Sequence, residues 1–170
     1  MKKAVCCAIA AVVAVGAGFA AYADAVLVPA PPGAPLLLEA TADGVQIYAC
    51  EAQGQGFEWV FKGPEANLFD KQGRQVGTHF GGPTWKAIDG TTVVGEVVTK
   101  ADAPVAGAIP WLLLRAKSHE GTGALTKVAF IRRAETKGGA APGTACDASH
   151  RAEQARMRYS ALYQFFGAAK

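Results

Sequence analysis

The chain has 170 residues, of which 17 are basic, 14 are acidic and 51% are hydrophobic. This length and apolar content suit one domain with a packed core and are too small for two ordinary domains. Removing Lys2 and Lys3, which fall in a predicted leader, leaves 15 basic residues against 14 acidic ones. We interpret the late basic residues, including Arg132 and Arg133, as a solvated surface. We therefore predict no nucleic-acid partner, because that requires a concentrated basic face.

The first 23 residues are typical of a secretory signal peptide. Two lysines precede an uncharged apolar run over residues 4–19, and a small-residue cleavage pattern ends at Ala23. The alternative is a retained membrane anchor, but the run is short and rich in alanine and glycine. We expect removal of residues 1–23, no membrane span in the mature chain, and a periplasmic or secreted location.

Residues 24–35 form a proline-rich segment that predicts an extended lead-in. The domain then starts at residue 36 and runs to residue 170. LLLEA is predicted to be a strand, Asp43-Gly44 to turn the chain, and VQIYACE to be the next strand. FEWVFK alternates in polarity, and we expect Phe57, Trp59 and Phe61 to face the core.

The remaining segments continue the pattern of short strands and turns. A hairpin is predicted around residues 71–74, and another turn at Asp89-Gly90. TTVVGEVVT, PWLLLRAK and RMRYSALYQFF are further strands, with Trp111 expected in the core. Residues 123–135 fit either a helix or a strand, and residues 148–156 fit a short capped helix. Turns at intervals of about eight to twelve residues predict a mainly β, single-domain antiparallel sandwich or barrel with little helix.

Two cysteines, Cys50 and Cys146, remain after the predicted processing. An even pair in an exported protein predicts a disulfide. The bond would tie an early strand to a late glycine-rich loop. The alternatives are a reactive thiol or a Cys–His metal site, and neither cysteine lies in a metal-type CxxC motif.

Several joined motifs carry a resemblance to a known family. They are GVQIYAC, WVFKGPEANLFD, GTHFGGPTW, AIPWLLLRAKSHEGTG and GGAAPGTACD. Together they resemble the exported family catalogued as domain of unknown function 3455. The resemblance implies a secreted, largely β protein of one domain with Cys50 and Cys146 paired, and it implies no assigned catalytic residue.

No cofactor is predicted. The two Gly-x-Gly pairs, residues 54–56 and 121–123, lack the third glycine and the following helix of a dinucleotide-binding fingerprint. No GxSxG motif is present, and neighbouring Ser118 and His119 point to opposite faces of a strand. Catalytic residues, enzymatic activity and oligomeric state are therefore left open.

Our preferred hypothesis is a noncatalytic module that binds a small molecule or carbohydrate, or that associates with the envelope. Trp85, His79 and His119 are the predicted ligand-binding residues. Trp85 follows a glycine-rich loop, where we expect it to be partly exposed and able to stack on a ligand. Trp59 and Trp111 fit the core better.

The alternative function is a metal-binding protein or metal-dependent enzyme using His79 and His119, with His150 as a third ligand. Imidazole is a common ligand of zinc and copper. However, the chain has no HxH, HExxH or CxxC spacing, which weakens a metal assignment. The competing interpretation is that two histidines make hydrogen bonds in loops and His150 is solvated.

Overall fold

The computed structural model describes residues 27–169, which form one antiparallel β domain. The predicted signal peptide, residues 1–23, lies outside the described residues. The eight strands are β1 (Leu36–Gln53), β2 (Gly56–Phe69), β3 (Gln75–Phe80), β4 (Thr84–Ala87), β5 (Thr92–Ala101), β6 (Trp111–Glu120), β7 (Phe130–Gly138) and β8 (Gln154–Phe166).

The strands close into an up-and-down barrel. Each strand pairs with the next along the chain, and β8 pairs with β1 to complete the cylinder. The prediction of a single antiparallel β domain is confirmed, and of its two forms the chain adopts the barrel. We call the end that carries the β1–β2, β3–β4, β5–β6 and β7–β8 connections the open end, and the opposite end the closed end.

β1 does not turn at Asp43-Gly44, so that prediction is wrong. The strand continues through both residues, with Asp43 opposite Asn67 and Gly44 opposite Ala66 in β2. A β-carbon on Gly44 would overlap the backbone of Glu65 and Ala66. The glycine therefore permits two long strands to approach closely, which is a second use of glycine besides turns.

Two turn predictions agree with the structure, whereas the helix predicted over residues 148–156 is limited to three residues because β8 begins at Gln154. The hairpin around residues 71–74 joins β2 to β3, and the turn containing Gly90 joins β4 to β5. The ambiguous segment 123–135 contains a turn-rich connection followed by β7. A short 3₁₀ helix, Ala148–His150, begins after Asp147, whose carboxylate accepts the backbone N–H of Ser149 at 2.8 Å.

The closed end is filled by side chains. The β6–β7 connection, residues 121–129, places Leu125 and Val128 in the core cluster, both at most 2% exposed. Every second residue of β8 from Tyr159 to Phe165 is buried. Against them pack alanines of β1 and β2, which have too little volume to collide with the large aromatic rings.

The lead-in crosses the outside of the barrel. Val28 is fully buried, and its carbonyl accepts the Nε–H of Arg132 at 2.6 Å. The guanidinium of Arg132 also lies 5.5 Å from the ring centre of Trp111. Arg132 is thus half-buried and anchors the lead-in, so its predicted place on a solvated surface is wrong. No helix in residues 27–169 is long and apolar enough to cross a membrane.

At the open end the β1–β2 hairpin extends past its neighbours and is covered by the β7–β8 connection, residues 139–153. The disulfide between Cys50 and Cys146 joins the two, which confirms the predicted pairing. The backbone N–H of Cys50 donates to the backbone carbonyl of Glu153 at 2.9 Å, and Trp59 Nε1 donates to the Thr144 carbonyl at 3.1 Å. A loop with little side-chain mass is thereby held in place.

Candidate ligand-binding cavity

A cavity of about 520 Å³ opens at the open end of the barrel. Its walls come from β1 and β2 on one side and from β5 and β6 on the other, with the β3–β4 turn between them. This volume lies in the usual range for small-molecule sites. The walls are mainly apolar, formed by Tyr48, Phe61, Pro64, Pro83, Val97, Leu112 and Leu114.

The mouth of the cavity presents apolar side chains to solvent. Phe61 is 51% exposed and Val97 is 50% exposed. Both stand next to a register shift, since β2 bulges opposite Ile47/Tyr48 and β5 bulges between Val97 and Thr99. Bulges bend a strand locally, and both of these lie beside the mouth. The prediction that Phe61 is a core residue is wrong. Trp59, also predicted in the core, is half-buried and lies against the β7–β8 connection.

Polar side chains lie at the bottom of the cavity. Gln46, His79 and Arg133 line it directly, and Tyr159 and Tyr163 lie immediately behind them. We call these five residues the polar floor. β1, β3, β7 and β8 supply them, so the floor exists only because the barrel closes.

His79 is a buried, neutral member of the polar floor. Its side chain is 3% exposed, and burial lowers its pKa from 6.5 to about 3. Nδ1 lies 2.9 Å from the carbonyl oxygen of Thr84. Because a carbonyl only accepts, this contact assigns the proton to Nδ1 and leaves the lone pair on Nε2.

Trp85 lies behind His79 and away from solvent. The two rings are stacked with centres 4.4 Å apart and planes 10° apart. Trp85 is 1% exposed, so the predicted partial exposure of this residue is wrong. Gly95 provides its space, since a β-carbon there would stand about 3.0 Å from the indole. Any role of Trp85 in binding would act through His79.

The other floor residues are rich in hydrogen-bond donors. Gln46 Nε2 and the hydroxyls of Tyr159 and Tyr163 are buried and make no hydrogen bond of good geometry. Burial raises the pKa of both tyrosines, which keeps them protonated. Buried unpaired donors are uncommon in proteins and call for an explanation.

Arg133 supplies the charge of the polar floor. Its Nε–H donates to the Pro110 carbonyl at 3.0 Å, which orients the guanidinium, and the side chain is half-buried. Its predicted place on a solvated surface is therefore wrong. The cavity lining contains Lys62 and Lys100 but no aspartate or glutamate. The electrostatic character of the cavity is accordingly positive.

The structure brings His79 and Trp85 together and leaves His119 elsewhere. His79, Trp85, Val93 and His119 are successive partners across β3, β4, β5 and β6. Three strand spacings separate the two histidines by about 14 Å along the sheet. His119 Nε2 instead contacts the Val128 carbonyl at 2.8 Å in the closed end.

His150 is also remote from the cavity. It lies in the 3₁₀ helix, where its Nδ1 is 2.9 Å from Asp147 Oδ1. That contact raises the pKa of His150, and hydrogen bonds from Ser149 and His150 lower the pKa of Asp147 to about 2. Within residues 27–169 no group of three or more His, Cys, Asp and Glu side chains is placed to hold a metal ion. The three histidines of the alternative hypothesis do not converge.

Sequence reasoning missed Gln46 and Arg133. One signal was present: Gln46, Tyr48 and Cys50 share one face of β1, and a glutamine on an inward face is a buried polar residue in need of a partner. Arg133 had no comparable signal. Its inward direction follows from its pairing with Tyr163 in β8, and that register is not visible in the sequence.

Fold and site together define a closed antiparallel barrel with a ligand-sized cavity at one end. The chain belongs to the family described as Protein of unknown function (DUF3455), which matches residues 31–167. The resemblance drawn from the sequence motifs is thereby confirmed. No curated protein and no solved structure matches the chain.

Proposed function

We propose that this protein is an exported, noncatalytic binding module that holds a small, largely apolar molecule inside its barrel. The observation that carries the proposal is the cavity of about 520 Å³ at the open end, walled by apolar side chains. Eight-stranded barrels have an interior just wide enough either to be filled by side chains or to hold one small ligand. Here the closed half is filled and the open half is not.

The character of the walls favours an apolar molecule over a carbohydrate. Carbohydrate sites need many polar groups along the length of the sugar, whereas here the polar groups are confined to the floor and to two lysines of the lining. The exposed Phe61 and Val97 at the mouth would lose solvent contact with a bound apolar body. Burying apolar area is the general driving force for such binding.

Blocking the mouth tests the proposal. The probe is neutral N-phenyl-1-naphthylamine, whose fluorescence rises in apolar surroundings. Val97 lines the cavity, while neighbouring Val98 does not and is 56% exposed. Val97→Trp is expected to abolish saturable probe binding, and Val98→Trp to preserve it. Equal binding by both variants, with unchanged unfolding midpoints, would contradict the proposal.

Export is the second part of the proposal. It is supported by the signal-peptide pattern of residues 1–23 and by the Cys50–Cys146 disulfide, since such bonds persist in oxidising compartments. The full chain expressed in a bacterium should appear in the periplasm with Asp24 at its N-terminus. N-terminal sequencing measures this directly. Ala23→Asp, which spoils the small-residue cleavage site, is the control and should retain the leader.

A further inference from the structure

We infer that the molecule held in the cavity is an organic anion, with a carboxylate head on the polar floor and an apolar body along the walls. This inference rests on the proposed function and specifies its ligand class. It starts from Arg133, whose guanidinium lines the cavity and whose Nε is already used by the Pro110 carbonyl. Tyr163 is the one other side chain of residues 27–169 within hydrogen-bonding reach of this guanidinium, which leaves N–H groups of Arg133 available to a ligand.

The donors beside Arg133 point to an acceptor-rich head group. Gln46 is 2% exposed, lines the cavity, and has an Nε2 amide without a partner. The hydroxyls of Tyr159 and Tyr163 lie behind Gln46 and Arg133, within hydrogen-bonding reach of them, and do not line the cavity themselves. A carboxylate has about four lone-pair sites and donates nothing. It therefore accepts from more of these donors at once than an alcohol, whose oxygen has two lone pairs, or a protonated amine, which accepts from none.

The charges around the cavity agree with an anion. Among residues 27–169 no carboxylate lies within ion-pairing distance of Arg133, although six other ion pairs are present. Lys62 is paired with Glu51 at 2.6 Å, whereas Lys100 has no such partner in the same part of the chain. A buried or half-buried cation without a counter-ion is costly. A bound carboxylate would supply the missing charge.

His79 shapes the same site without adding charge. Its imidazole is neutral, and its Nε2 lone pair is turned away from the Thr84 contact. The imidazole therefore contributes an acceptor and an apolar ring face, not a second cation. Arg133 is therefore the one cation of the polar floor, and a ligand with one negative charge would neutralise it.

The test compares ligands that share a body and differ in the head. Decanoate, decanol and decylamine are titrated into the mature protein by calorimetry at pH 8, where decanoate is ionised. A charge-assisted hydrogen bond is worth roughly tenfold to a hundredfold in affinity. Decanoate should therefore bind at least about tenfold more tightly than decanol, and decylamine most weakly.

Substitution of Arg133 tests whether this residue of the polar floor causes the preference for decanoate over decanol. Arg133→Gln should remove the advantage of decanoate, so that the ratio of the decanoate affinity to the decanol affinity, both measured on this variant, falls to within about twofold of one. Arg133→Lys keeps the charge and should retain part of the advantage, which covers the case in which Arg133→Gln does not fold. Arg158→Gln removes an exposed cation of β8 and should change nothing.

The outcomes separate the two proposals. If neither decanol nor decanoate binds to the unmodified protein, the proposed function fails. If both bind equally, the cavity is a binding site and the anion inference is overturned. If Arg133→Gln folds and still prefers decanoate by tenfold, the assignment of the head group to Arg133 is overturned.

Discussion

At the scale of single residues, the most informative side chain is His79. It combines burial, a single hydrogen bond to Thr84 and a stacked indole, and burial keeps it uncharged at neutral pH. Protonation would place a second positive charge close to Arg133 in a poorly solvated space. The folded barrel is therefore stable only while His79 is neutral, and its stability should depend on pH.

His79 should make folding stability fall on acidification. Its folded pKa, about 3, lies below the ordinary value of 6.5. Between these values the unfolded chain binds more protons than the folded one, so stability rises with pH in this window and is lost as pH falls below 6.5. The loss approaches about 1.4 kcal/mol per pH unit at most. Urea unfolding at pH 6.5 and 5 measures it.

His79→Asn provides the comparison, because its amide can still donate to the Thr84 carbonyl but does not titrate in this range. The variant should lose less stability than the native chain between pH 6.5 and 5. His150→Gln is the matched control: the pKa of His150 is raised, so its contribution is present below pH 6.5 and is lost as pH rises. If His79→Asn and the native chain lose stability equally, His79 is not buried and neutral.

Sequence reasoning reached some residues of this site and not others. It found the cysteine pair because compartment and count limit the choices to one. It named His79, which lines the cavity, but expected Trp85 to be partly exposed because a Gly-Gly-Pro-Thr turn precedes it. The indole faces inward because Gly95, ten residues later and one strand away, leaves it room. A relation of this kind between strands is not present in a local pattern.

At the scale of elements, the length of β1 depends on Gly44. A β-carbon at this position would overlap the backbone of β2 in a paired region, and the strand has no room to shift there. Gly44→Ala should lower the free energy of unfolding by about 1–3 kcal/mol, the range found for overpacked sites. Urea unfolding monitored by circular dichroism gives the value.

Gly56→Ala is the matched control for Gly44→Ala. Gly56 also lies in a strand of the same hairpin, but a β-carbon there meets nothing within 4 Å. It should change stability by less than about 0.5 kcal/mol, in either direction. Equal effects of the two substitutions would mean that loss of backbone freedom, and not close strand approach, explains the glycine at position 44.

The disulfide fixes the β7–β8 connection onto the β1–β2 hairpin. Chain-entropy reasoning for cysteines 96 residues apart predicts a contribution of about 4–5 kcal/mol, and measured values for native disulfides span about 2–5 kcal/mol. The double variant Cys50→Ala/Cys146→Ala should lose stability in this range in urea unfolding. A loss below about 1 kcal/mol would show that the backbone contacts of Cys50 and Trp59 hold the connection without the bond.

Most elements could be predicted because turn chemistry and alternation are local. β4, β5 and the hairpin before β3 follow directly from such signals. The failure at Asp43-Gly44 has a physical cause: the same dipeptide serves a tight turn or a close strand contact, and only the partner strand decides. Phe61 does face the barrel interior, opposite Tyr48, but it stays half exposed because the cavity at this end is not filled by protein side chains, which a local pattern does not reveal.

At the scale of the whole molecule, closure creates the site. Each strand alone has an inward face, but only the pairing of β8 with β1 brings Gln46 beside Tyr159, and through β8 next to Tyr163 and Arg133. A sandwich built from the same strands would have no such interior. Because the choice between sandwich and barrel depends on strand pairing across more than 100 residues of chain, the polar floor could not be derived from the sequence.

The number of paired residues differs between neighbouring strands of the barrel, and this predicts where the barrel opens locally. β1 pairs with β2 and with β8 over most of its length, whereas β3 and β4 share four paired positions, and β4 and β5 share three. Local opening follows the weakest set of backbone hydrogen bonds. Hydrogen–deuterium exchange should therefore show protection roughly tenfold lower for β4 amides than for those in the middle of β1 and β8.

The same weak region borders the cavity, since Gly82 and Pro83 of the β3–β4 turn line it. A ligand that binds only the intact barrel stabilises that state by mass action. It must therefore reduce every local unfolding event that breaks up the cavity. Saturating decanoate should raise protection at β4 and at Gly82 while leaving the closed-end amides of residues 121–129 unchanged. Binding with no change at β4 would mean that the ligand sits outside the barrel. A uniform rise over all strands would mean that β4 opens only when the whole barrel unfolds.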